Sequence, residues 1–188
     1  MTLKQFLIIF VSINACFSRR IDFLNHLEEN IIVSITGRDD FLLENNGFFK
    51  SIEVPKGNRT IYAKYAYCKI NDCDEYVTKA QFKIGYIAKN LDLKYIDLRS
   101  GYNFYMEVKS SSEDCETSKT CREMLTVCPK STMVLADKNL VACKNTKESY
   151  IKFLECDTAV TSDMNVVGNT QTCVNVQYYT ITFGKKQI

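Results

Sequence analysis

"LDLKYIDLRSGYNFYMEVKSSSEDC", residues 91–115, is the stretch on which the reading of the chain turns. It begins with in/out alternation, breaks at Ser100-Gly101, alternates again and runs through polar residues to Cys115. In "NFYMEVK", Phe104, Met106 and Val108 share one face while Tyr105, Glu107 and Lys109 share the other. A period of two with apolar residues on one side marks a strand half-buried against a core. Strand, turn, strand and cysteine in this order point to a sheet protein held by disulfides.

The flanking sequence continues the pattern. Ile31–Ile35, Ser51–Val54, Thr60–Tyr67 and Gln81–Ile87 are rich in β-branched and aromatic residues, and Gly, Asn, Asp or Pro punctuates each. The tail "CVNVQYYTITF" (173–183) is long enough for one central strand. Many short strands at near-regular spacing predict an all-β sandwich or barrel. Two helical segments interrupt it. Thr120 and Glu123 form a capping box, with Met124 and Leu125 facing the core and Pro129 as the stop. In "ESYIKFLEC" (148–156), Tyr150, Phe153 and Leu154 share a helical face. Both lie between Cys115 and Cys156, so residues 109–157 read as a cysteine-stapled, partly helical excursion.

The N-terminus reads as a secretory signal peptide, residues 1–18. Lys4 supplies the positive end, Phe6–Ile13 the apolar run, and Cys16 and Ser18 the small residues before a cleavage after Ser18. The apolar run is far shorter than the roughly 20 residues of a membrane span, and the domain proper is expected over 19–188. Of nine cysteines, Cys16 leaves with the leader, and the remaining eight read as four disulfides in an oxidising compartment. His26 is the one histidine and no paired CxxC knuckle occurs, so no metal site is expected. A formal net charge of +2 with no polybasic run leaves no footprint for nucleic acid. Phosphate loops and dinucleotide fingerprints are absent, and no cofactor is expected.

Several stretches together resemble the thaumatin-like family. "LDLKYIDLRSGYNFYMEV" is similar to the family's run of the type LDFxDISLVDGFNxPM, matching at Leu91, Asp92, Ile96, Leu98, Gly101, Asn103 and Met106. The family's C-x4-C, short helix and Cys-Pro have counterparts in Cys115, Cys121 (one residue further on) and "EMLTVCP". The step from Cys156 to Cys173 has the family's length, with Ala159, Thr170 and Thr172 matching. Upstream, "FLLENNGFFKSIEVPKGNRTIYAK" (41–64) looks like the stretch ending in RIWAR. The resemblance covers roughly residues 20–184. It implies an antiparallel β-sandwich with a shortened, disulfide-stapled second subdomain. It also implies the pairings Cys115–Cys173, Cys121–Cys156 and Cys128–Cys143, with Cys68–Cys73 closing a local loop. The family usually ties its two ends together through a disulfide. Here "TITFGKKQI" holds no cysteine, so the termini are expected to be less firmly held.

Long members of that family carry an acidic cleft of one arginine, one glutamate and three aspartates, and members bind or weakly hydrolyse β-1,3-glucans. Glycoside hydrolysis needs two carboxyl groups in distinct protonation states. By position, Lys64 replaces the arginine, Gln81 the glutamate, and Tyr95 and Ser100 two of the aspartates. Asp97, two residues from Tyr95, falls on the same strand face and could return one carboxylate to the groove, although a solvated acid is the ordinary expectation for such a residue. The third aspartate corresponds to an acid near Asp157 or Asp163. The groove residues are therefore Lys64, Gln81, Tyr95, Asp97 and Ser100, with no catalytic set. Tyrosine and amide side chains suit sugars, because rings offer apolar faces and polar tips hydrogen-bond.

The expectation is a secreted, monomeric, non-catalytic protein whose partner is a cell-wall or other extracellular polysaccharide. The alternatives are a weak endo-β-1,3-glucanase using Asp97 with an acid of 157–163, and an effector that binds an extracellular protein. Asn58-Arg59-Thr60 is an N-glycosylation sequon placed in a turn after Pro55 and Gly57.

Overall fold

The computed structural model describes residues 17–45, 47–88, 90–120, 125–146 and 159–184. In chain order the strands are β1 (Ser18–Asn25), β2 (Ile31–Ile35), β3 (Phe41–Leu43), β4 (Phe48–Pro55), β5 (Gly57–Tyr65), β6 (Lys79–Ile84) and β7 (Leu91–Asp97). They continue with β8 (Gly101–Tyr102), β9 (Met106–Ser110), β10 (Ser118–Lys119), β11 (Met133–Ala136), β12 (Asn139–Lys144), β13 (Gln171–Val174) and β14 (Tyr178–Phe183). One sheet has the order β13-β7-β6-β5-β2-β3, a second β10-β9-β14-β1-β4, and a small third β11-β12-β8.

The two larger sheets form the expected sandwich. Alternation along each strand turns Ile31, Val33, Ile61, Ala63, Ala80, Phe82 and Ile96 of the first sheet inward. They meet Ile21 and Phe23 of β1, Met106 and Val108 of β9, and Tyr179, Ile181 and Phe183 of β14 in one core. Phe82 and Tyr179 meet edge to face across the sandwich, ring centroids 5.0 Å apart. The alternation read from "NFYMEVK" is present: Phe104, Met106 and Val108 are buried and Lys109 is exposed.

Residues 91–115 do not make a hairpin. β7 belongs to the six-stranded sheet and β9 to the five-stranded one, and the turn at 98–100 first delivers β8 to the small sheet against β12. Gly101 is needed there by contact: a Cβ would stand 2.6 Å from the Cys143 carbonyl oxygen. Asn103 secures the crossing, donating to the Ala63 carbonyl at 2.7 Å and accepting the Thr78 and Phe104 amides.

Three expectations need correction. The tail is two strands in different sheets, because Asn175 takes a left-handed φ of 55° and turns the chain between β13 and β14. Asn can adopt that conformation at low cost. Asn58 lies in β5 rather than a turn, paired with Lys83. Gly57, with φ 120°, makes the bend just before it. Finally, one pair in the sandwich is parallel: β1 runs beside β14 from Arg20↔Tyr178 to Asn25↔Phe183. No short turn joins these terminal strands, so nothing obliges them to be antiparallel.

Disulfides join Cys68–Cys73, Cys115–Cys173 and Cys128–Cys143. The Cys121–Cys156 pairing, Glu123 of the capping box, the 148–156 helix, Asp157 and residues 1–16 of the leader lie outside the described residues. Among the described residues no helix is long and apolar enough to cross a membrane.

Candidate functional site

The outer face of β5, β6 and β7 collects the groove residues by strand register. Opposite pairs are Tyr62↔Lys79↔Asp97, Thr60↔Gln81↔Tyr95 and Asn58↔Lys83↔Leu93. Side chains directly opposite share a face, so these nine residues form a mostly polar surface, from exposed Asn58 to buried Asp97, floored by the inward row Ile61, Ala80, Phe82 and Ile96. Gln81 accepts a 2.7 Å hydrogen bond from the Thr60 hydroxyl. Lys64, further along β5, is taken up by Asp74 at 2.6 Å at the edge of this surface.

At the C-terminal end of β7 a cleft of about 390 Å³ is lined by Lys79, Asp97, Arg99, Ser100 and Asp163. Register thus brings Gln81, Tyr95 and Asp97 together, and Ser100 joins them from the following turn. Asp97 is not the solvated acid that its strand position suggests, for its side chain is 8% exposed. It accepts the Arg99 backbone amide at 3.0 Å, Nε at 3.0 Å and Nη2 at 2.8 Å. Arg99 reaches the Asp163 carboxylate with Nη1 at 2.5 Å. One guanidinium therefore lies between the two acids.

The walls of the cleft are tied by backbone and amide bonds. Leu98 N–H donates to the Val160 carbonyl, and Val160 N–H to that of Ile96. Asn145 donates to the Leu98 carbonyl at 3.0 Å and the Thr161 carbonyl at 2.9 Å. Ser162 and Asn165 form a capping box that presents Asp163 on a short 3-10 turn. Among the described residues no three His, Cys, Asp or Glu side chains converge as metal ligands would.

The electrostatics follow from Arg99. Its pKa is driven upward, first by the hydrogen bond to Asp97. The Tyr95 phenol is raised by burial and then by the Asp97 charge, with Arg99 opposing. The cleft presents one ammonium, one guanidinium, one hydroxyl and two carboxylates for polar recognition.

Lys79, Arg99 and Asn145 went unnoticed in the sequence. Arg99, two residues beyond Asp97 and beside Ser100-Gly101, carried a local signal, since a side chain at that offset can fold back onto the acid. Lys79 and Asn145 carried none, because their places depend on pairings with distant strands.

Residues 61–185 match the model of the Thaumatin family. No individual curated protein matches the chain.

Proposed function

This chain belongs to the thaumatin family, and from that premise we propose that it acts outside the cell as a monomeric, non-catalytic binder of cell-wall or other extracellular polysaccharide of the β-glucan type, in a defence or host–microbe setting. The observation that carries this reading is Arg99 bridging Asp97 and Asp163 beside the Gln81 and Tyr95 surface. Residues 1–18 serve as the export signal, and N-terminal sequencing of secreted protein tests that assignment. Incubation with insoluble β-1,3-glucan tests the activity: the protein is expected in the pellet, with no reducing sugar released. Failure to sediment removes neutral β-glucan as the ligand. Sugar release that is lost in Asp97→Asn would instead establish the glucanase alternative.

A second reading, an effector that binds an extracellular protein, draws on a surface away from the groove. Leu42, Phe48 and Phe49 are each about half exposed and line an open cleft of about 490 Å³ with Lys50. Exposed apolar groups clustered in this way are a common feature of interaction surfaces. Phe48→Ser with Phe49→Ser separates the two readings, since it should leave glucan sedimentation unchanged.

A further inference from the structure

The groove face carries a charge pattern that a neutral glucan does not use. On β6, Lys79, Gln81 and Lys83 alternate outward while Ala80, Phe82 and Ile84 are buried. Among the described residues Lys79 has no carboxylate or hydrogen-bond partner, although it faces Asp97 across the strand pair, because Asp97 is engaged by Arg99. Lys83 has no carboxylate partner among them either; its ammonium sits 3.7 Å above the Tyr86 ring, which positions it without neutralising it. The cleft and this row together hold three cations, Lys79, Lys83 and Arg99, against two carboxylates, and the Lys64–Asp74 pair adds no net charge. The two lysines stand about 13 Å apart along the strand, a distance that a few linked sugars span, with the Gln81 amide between them and Tyr95 beside it.

We propose that the polysaccharide recognised here is acidic, carrying carboxylate or sulfate groups that Lys79 and Lys83 pair with while Gln81 and Tyr95 contact the sugar rings. This rests on the polysaccharide-binding reading and specifies the ligand's charge. The test uses the disulfide-bonded protein with Asn58 unmodified, applied to insoluble cross-linked polygalacturonate, insoluble dextran sulfate and insoluble β-1,3-glucan. At low salt an acidic matrix should retain it more tightly than the neutral glucan, and retention should fall as salt rises from about 50 mM to about 500 mM. Lys79→Gln with Lys83→Gln should weaken acidic-matrix retention by about tenfold without changing the thermal midpoint. Lys138→Gln, an exposed lysine on the small sheet's β11–β12 turn, should leave it intact. Equal losses from Lys138→Gln and the groove variant would mean simple ion exchange and overturn the inference. Retention by neutral glucan alone would also overturn it while leaving the broader reading standing; retention by no matrix removes both.

Discussion

Two aspartates that each pair with an arginine, Asp92 within β7 and Asp163 on the 3-10 turn, illustrate how place decides energy. Asp92 is fully buried between the sheets, where it meets Arg19 Nε at 2.8 Å, the Gly85 amide at 2.8 Å and the Tyr179 hydroxyl at 3.0 Å. Replacing it with asparagine removes the carboxylate charge that Arg19, itself 7% exposed, meets at 2.8 Å in the core. Breaking a buried pair from one side costs about 3–5 kcal/mol, so Asp92→Asn is expected to lower the denaturation midpoint severely. Asp163 bonds Arg99 over a shorter distance, yet its side chain is 88% exposed. Exposed pairs contribute about 0–1 kcal/mol, and Asp163→Asn should leave urea unfolding nearly unchanged. A comparable loss in both variants would refute this ranking by burial.

The β7 strand also shows what an inward-facing row can tolerate. Lys94 is 1% exposed, and its ammonium donates to the Glu116 carbonyl at 2.6 Å and the Ser118 hydroxyl at 2.7 Å. Burial pulls its pKa down to about 8, with Glu116 opposing. The unfolded chain therefore binds this proton more tightly than the folded one, and folding carries a penalty below pH 8. That penalty is relieved as pH rises from about 8 towards the free-lysine range near 10.4. Tyr65 acts in the opposite sense: burial raises its pKa to about 12, so stability present below pH 10 is lost as pH climbs through 12. Stability should thus climb from pH 8 to about 10 and then collapse. In Lys94→Met the climb should be absent, and denaturant titrations at stepped pH would measure it. A wild-type profile that is flat over this interval would argue against a lysine charged in the core.

At the scale of the whole molecule, the bridges differ in what they restrain. Cys115–Cys173 spans a sequence separation of 58 and ties the chain beyond β9 to β13, whereas Cys68–Cys73 closes a separation of 5. On the loop-entropy model the first is worth about 4 kcal/mol and the second about 2. The Cys115→Ala/Cys173→Ala variant should therefore melt well below Cys68→Ala/Cys73→Ala in calorimetry, and equal midpoints would contradict the model. Alternation and cysteine order were legible in the sequence because a period of two and a family-like spacing are local or ordinal properties. By itself the sequence determined the strand-rich class and the core face that runs into β9, Phe104, Met106 and Val108. Only the tertiary structure decided that β1 lies parallel to β14, that Asn175 divides the tail and that Arg99 joins Asp97 to Asp163. Those outcomes depend on which distant segments meet, and burial and charge pairing at such meetings are set by the packed sheets rather than by neighbours along the chain.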